Sequence, residues 1–209
     1  MNKITVVIRL VFLGVFLFLV AKGKVTLWLL IYGVSLIMAL FFGRIYCGYL
    51  CPMNTIMYPA VWISKKLQIG TDKIPKVFKN EKLTWVFLML TIGIMFLVKK
   101  ILNRNIPILL IWLMISFLIT LRYKPEFFHI FLCPFASLQK VFARKSKYTE
   151  MVEINDCIGC GLCQKVCPAG AIEMKKETNI ADIDNYYCLQ CKACESVCPK
   201  ECISYKKVY

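Results

Sequence analysis

The sequence predicts an all-α membrane domain of four helices, built as two repeated hairpins, followed by a small α+β domain rich in cysteine. Three observations carry this expectation. The chain of 209 residues is 59% hydrophobic, whereas about half the residues of an ordinary soluble domain are apolar. The long apolar runs lie in residues 1–150, and nine of the twelve cysteines lie in residues 151–209. Charge divides at the same boundary, net +16 before it and −1 after it.

Four apolar runs, near 4–20, 25–42, 83–98 and 106–121, each hold 16 to 18 residues. That is the short end of what crosses a hydrocarbon core of about 30 Å. The first run could be taken for a secretory signal, but Val20-Ala21-Lys22-Gly23 offers no small-x-small cleavage site. A shift of 82 residues also superposes the two halves: Cys51-Pro52 meets Cys133-Pro134, Tyr46 meets Phe128, Leu50 meets Leu132 and Thr55 meets Ser137. The first run is thus the counterpart of the third and is expected to stay in the mature protein.

Topology follows from Lys and Arg. The N-terminal part, the loop 43–82 and the segment 122–150 together hold 15 of them, and the two short connections hold five. Positive flanks favour the cytoplasmic face, so a multi-pass protein of the cytoplasmic membrane is expected, with both termini and the cysteine-rich domain inside. The bilayer also accounts for the basic charge, and no nucleic-acid-binding motif accompanies it. Arg9 lies near the start of the first run, where snorkelling to the interface is expected. After each Cys-Pro the pattern turns amphipathic and basic, which predicts helices lying on the inner leaflet.

The strongest motif begins at Cys157. Cys157, Cys160, Cys163 and Cys167-Pro168 are repeated 31 residues later as Cys188, Cys191, Cys194 and Cys198-Pro199. This is the run that ligates [4Fe–4S] clusters, the fourth cysteine of each copy reaching the other cube. Cluster 1 is therefore assigned to Cys157, Cys160, Cys163 and Cys198, and cluster 2 to Cys188, Cys191, Cys194 and Cys167. Gly159 and Gly161 allow close backbone approach, and Ile158, Val166, Leu189 and Val197 are expected to exclude water. A zinc ribbon would need two separated pairs instead. Cys202 occupies the position of Ala171 in the first copy and is read as a small buried residue, not a ligand. Short strands at 152–154, 172–174, 180–183 and 203–205 are expected to frame the cubes as a duplicated βαβ unit. Residues 152–206 resemble the bacterial 2[4Fe–4S] ferredoxins.

A second motif type closes each hairpin: Gly43-Arg44-x2-Cys47-x3-Cys51-Pro52, and His129-x3-Cys133-Pro134 with the one histidine of the sequence. On a helix, positions i and i+4 share a face. Packed about a pseudo-twofold axis, Cys47, Cys51, His129 and Cys133 would surround a third centre, iron–sulfur or another metal, at the membrane edge. The whole chain resembles the membrane polyferredoxins of the NapH and NosR type, which carry paired Cys-x3-Cys-Pro motifs and a C-terminal two-cluster ferredoxin. His129 departs from that pattern, though imidazole can replace thiolate at an iron–sulfur centre.

These features lead to an electron carrier rather than a stand-alone enzyme, since no acid–base pair, Ser-His-Asp set or nucleotide-binding glycine loop is found. The expected partners are the bilayer, a redox protein or membrane subunit, and a quinone. The alternative is an accessory or redox-sensing factor for a metalloenzyme.

Overall fold

The computed structural model describes residues 3–71, 80, 82–102 and 108–208. Lys73, Lys76, Lys79 and Arg104, counted above for topology, and residues 106–107 of the fourth run lie outside the described residues.

Helices α1 (Lys3–Ala21) and α2 (Val25–Phe42) form the first hairpin. It turns at Gly23, whose φ of +68° suits glycine. Gly23 N–H donates to Val20 O at 3.0 Å and Lys24 N–H to Leu19 O at 2.9 Å, closing the helix by paired reverse bonds. Helices α4 (Lys82–Leu102) and α5 (Ile108–Arg122) form the second hairpin. Ile4–Ala21, Val25–Phe42 and Lys82–Ile101 are long and apolar enough to cross a membrane, while α5 is apolar but has 15 residues. Leu10, Phe18, Leu30, Ile37, Phe96 and Leu97 are exposed on these helices. An apolar surface of that extent suits lipid better than water.

Each hairpin leads into one π-helical turn, Tyr46–Leu50 and Phe128–Leu132, the second preceded by the short α6 (Pro125–Phe127). Cys51 N–H donates to Tyr46 O, and Cys133 N–H to Phe128 O, both at 2.9 Å. Each turn is followed by a helix with proline in its first turn, where its missing N–H does no harm: α3 (Pro52–Leu67) and α7 (Pro134–Ala143). Helix α3 packs on α1 and α5, and α7 packs on α4 and α2. Each helix thus joins its own hairpin to the other.

This corrects the expectation of helices lying on a leaflet. Met53, Asn54, Met57 and Ala60 of α3, and Ala136, Ser137, Gln139 and Lys140 of α7, are buried. Small residues let the helices approach closely, and polar groups are paired across them. Gln139 Nε2 donates to Ser35 Oγ at 2.7 Å, and Tyr32 Oη donates to Phe135 O at 2.8 Å.

Beyond α7 lies a small lobe of two antiparallel ribbons around α8 (Leu162–Val166). β1 (Tyr148–Val152) pairs with β4 (Ile203–Lys207), with Val152 opposite Ile203. β2 (Ile172–Met174) pairs with β3 (Ala181–Ile183), with Ile172 opposite Ile183. The expected duplicated βαβ unit is present in the element order, β1–α8–β2 and then β3, a 3-10 turn at Glu195–Val197 and β4, and each ribbon pairs a strand of one unit with a strand of the other. β1 also starts earlier than expected, at Tyr148, and its ring stacks on Phe42 at 5.8 Å.

Candidate functional site

The eight cysteines of the C-terminal repeat line two small cavities. One is lined by Cys157, Cys160, Cys163 and Cys198. The other is lined by Cys167, Cys188, Cys191 and Cys194. The crossed sets arise because each fourth cysteine ends its loop in extended conformation ahead of proline, Cys167 with ψ 112° and Cys198 with ψ 114°. The residue before proline is driven out of the helical region, which swings its side chain toward the other half.

The donor chemistry fits an iron–sulfur cube. Backbone amides are directed at the sulfurs; Ala171 N–H donates to Cys167 Sγ at 3.3 Å. Burial pushes the thiols of Cys167, Cys188 and Cys191 up, while amides of Ala171, Gln190 and Ala193 respectively pull them down. A buried sulfur surrounded by amide donors is suited to be a metal-bound thiolate. Among the described residues, no three Cys, His, Asp or Glu side chains converge on one point suited to a single metal ion. Thiolates around a four-iron cube stand farther apart than those around one zinc.

Gly159 and Gly161 have φ near +69° and +68°. A Cβ on Gly159 would run into the backbone and side chain of Asn179. Their counterparts in the second copy, Gln190 and Lys192, hold the same left-handed conformation at +54° and +58°, a cost of roughly 1–2 kcal/mol for a residue with a Cβ. Gln190 gains by it: its Nε2 donates to Thr149 Oγ1 at 3.0 Å, and its Oε1 accepts from Glu150 N–H at 3.1 Å. Nothing in the spacing pattern distinguishes Gln190 from any loop glutamine.

The two cavities differ in their surroundings. Leu189 is buried, and its loop lies against the π turn that follows α2; a Cβ on Gly48 would strike Leu189 O and come within 3.4 Å of Cys191 Cα. Ile158, its counterpart, is 58% exposed, and Val166 is 39% exposed. Of the four residues expected to exclude water, Leu189 is buried and Val197 half-buried, whereas Ile158 and Val166 are exposed, because the membrane part covers one loop alone. Cys160 is exposed, and Cys188, Cys191 and Cys194 are buried.

The membrane-edge residues gather at the base of the hairpins. Cys47, Cys51, His129 and Cys133 are all buried. The pairs do not share an α-helical face as expected; each straddles the end of a π turn, with Cys51 and Cys133 extended at ψ 118° and 110°. The following proline is again the reason. The three thiols are close enough to act on one another: burial first, then the charges of Cys47 and Cys133, raises Cys51. Burial and Cys47 raise Cys133 likewise. Burial, then the charges of Arg44, Lys140 and Arg9, holds the His129 imidazole far below its ordinary range. It is thus neutral, and its Nε2 is buried without a hydrogen-bond partner, the state in which imidazole binds metal.

Three buried cations occupy the seam between this site and the Cys188 loop. Arg9 does not snorkel: it is 2% exposed, its Nε donates to Gly48 O at 2.7 Å, and its guanidinium lies 4.6 Å from the centre of the Tyr58 ring. A hydrogen-bond acceptor inside the protein outweighs the short climb to the interface. Arg44 Nη1 donates to Tyr187 O at 3.1 Å and Tyr186 O at 3.4 Å, and Nη2 is 3.8 Å from Cys47 Sγ. Lys140 Nζ donates to Ile130 O at 2.8 Å and lies over the rings of Tyr186 and Tyr187. Gly48 and Ile130 are related by the 82-residue shift, so each half offers the equivalent carbonyl to a buried cation. Of the three, only Arg9 stands out in the sequence, as a charge within an apolar run.

Residues 156–202 match a family model described as a 4Fe-4S dicluster domain. Residues 25–70 and 105–148, one segment from each hairpin repeat, match a model described as a 4Fe-4S binding domain. The chain is a ferredoxin-like iron–sulfur protein. Relatives of this ferredoxin-like chain include two uncharacterized proteins of Methanocaldococcus jannaschii. One is 29% identical over 65% of this chain and 55% of its own length, the other 23% identical over 76% and 73%. A third is the methylamine utilization ferredoxin-type protein MauN of Methylobacillus flagellatus, 29% identical over 62% of this chain and 50% of its own. The chain spans about half the length of two of these relatives. No solved structure matches it.

Proposed function

We propose that the chain is a membrane-bound electron carrier of the NapH and NosR type. It relays electrons between a membrane-side donor or acceptor, a quinol or partner subunit, and a redox partner on the cytoplasmic side. One observation carries this reading: Cys188, Leu189 and Cys191 share a single buried core with Cys47, Cys51 and Cys133, while the other cavity opens to solvent at Cys160. One end of the module is wired into the membrane part and the other faces out.

In this reading Cys188, Cys191, Cys194 and Cys167 hold the inner cube, and Cys157, Cys160, Cys163 and Cys198 the outer one. Each bound cube supplies a one-electron couple whose potential follows charge, hydrogen bonding to sulfur and solvent exposure. The protein sets these terms. Leu189, Ala169 and Ala171 exclude water from the inner position, and Arg9 and Arg44 bring positive charge to its membrane side, favouring the reduced form. Cys47, Cys51, His129 and Cys133 hold a third centre, a further iron–sulfur cluster, between the inner cube and the bilayer. Four spans, with both termini and the ferredoxin part cytoplasmic, complete the arrangement.

A second reading keeps the same residues in a different role. There the same centres would serve an accessory role in maturing or controlling a metalloenzyme.

The test is iron and acid-labile sulfide per chain, with Mössbauer spectra, on protein purified anaerobically in detergent, followed by reduction with a soluble quinol. About eight irons in two cubes, reducible by quinol, support the relay; an excess over eight lost in Cys51→Ala supports the third centre. Fewer than eight irons after reconstitution, or cubes that no quinol or partner reduces, would refute the relay. Loss of a partner enzyme's metal when this chain is removed, with its electron supply bypassed, would favour the accessory role instead.

A further inference from the structure

The two halves of the ferredoxin repeat differ at one position that touches sulfur. Cys202 and Ala171 are counterparts, each four residues beyond the cysteine that crosses to the other cavity. In the first half, Ala171 N–H donates to Cys167 Sγ, and its side chain offers nothing more. In the second half, Cys202 Sγ lies 3.4 Å from Cys198 Sγ. Cys202 is 5% exposed and lines the outer cavity beside Cys157, Cys160, Cys163 and Cys198. The outer cavity is therefore lined by five cysteines where the inner one is lined by four.

Resting on the reading that Cys198 ligates the outer cube, we propose that Cys202 is a positioning residue whose S–H donates a hydrogen bond to the Cys198 sulfur and raises the midpoint potential of that cube alone. The direction of the bond follows from chemistry. An iron-bound Cys198 is a thiolate without a proton, so of the two sulfurs only Cys202 can donate. Thiols are weak donors, but a charged acceptor strengthens the bond, and Cys202 itself is buried. A proton shared with a ligand sulfur withdraws electron density from it and favours the reduced, more negative cluster, and hydrogen bonds to sulfur are among the terms that set cluster potentials. The repeat supplies the internal reference, because the inner cube has Ala171 in the same place.

The experiment is a mediator-controlled EPR potentiometric titration of the full chain in detergent, with iron counted on every sample. In Cys202→Ala, which copies the first half of the repeat, the iron content should equal that of the parent protein. One cube midpoint should move to more negative potential while the other stays in place. Cys202→Ser, with an O–H donor, should return the shifted midpoint most of the way. If alanine leaves a void that prevents folding, Cys202→Val fills the space without a donor and should show the same negative shift. Unchanged midpoints in a folded donor-free variant would overturn the proposal. Loss of about four irons would overturn it too, since Cys202 would then be a ligand. Failure of the parent protein to hold two cubes would refute the ligand reading itself, a result distinct from either.

Discussion

Gly48→Ala tests whether the ferredoxin lobe is seated on the membrane part. The glycine lies in the π turn after α2, and a Cβ there falls on the carbonyl oxygen of Leu189, closer than real Cβ atoms come. The obstacle is backbone on both sides, so no side chain can swing away. The two segments must part by on the order of 1 Å, and overpacking of this kind costs about 1–3 kcal/mol. At about 1.4 kcal/mol per factor of ten, the undocked population should rise roughly 5- to 150-fold. The assay is amide hydrogen exchange in detergent over residues 186–192, with Gly33→Ala as control. Gly33 sits in α2, and a methyl group added to it would have nothing within 4 Å, so alanine there meets open space. Faster exchange confined to 186–192 in Gly48→Ala is expected. Equal exchange in the two variants would refute the reasoning, because the Leu189 carbonyl could not then be where the new methyl must go.

Arg44→Met removes the charged donors to Tyr186 O and Tyr187 O; at about 1.5–3 kcal/mol for a charged hydrogen bond, thermal unfolding should begin at lower temperature, and Arg44→Lys, lacking the planar fork, should recover only part. Gly159→Ala meets Asn179 in a left-handed conformation, so it should lose about four irons, whereas Gly161→Ala, equally left-handed but in open space, should keep most of its iron. Glu150, buried beside the inner cavity, has its carboxyl pushed up to about 7, by burial first and then by the charge of Glu195 against the pull of Lys192. The folded state therefore retains a proton that the unfolded chain releases near its ordinary value of about 4.3. Stability from this group is fully present below that value and is lost as pH rises through about 7. Glu150→Gln should flatten that part of the stability–pH curve in denaturant titrations, and an unchanged slope would contradict the assignment.

Much of this molecule is local and therefore legible in its residues. A cysteine run of fixed spacing ending in Cys-Pro specifies its own loop geometry, since proline dictates the conformation of the residue before it. The two lined cavities accordingly collect the cysteine sets expected from spacing alone. The 82-residue shift likewise survives folding as equivalent π turns, equivalent Cys-Pro junctions and equivalent carbonyls at Gly48 and Ile130. Where spacing misled, a long-range contact was responsible. The amphipathic stretches after Cys51 and Cys133 read as leaflet helices because an apolar stripe does not reveal whether lipid or another helix will cover it. Arg9 reads as a snorkelling residue because its acceptor, Gly48 O, is 39 positions away. Ile158 and Leu189 are counterparts in the repeat with opposite exposure, since the membrane part can sit on only one of two symmetric loops. By itself, then, the sequence determined the membrane helices, the repeats and the cysteine chemistry, all of which depend on neighbours within a few residues. The tertiary structure decided which cysteine-lined cavity is buried, which cations stand beside it and which sulfur lies against Cys198, because those depend on surfaces that meet only once the chain has folded.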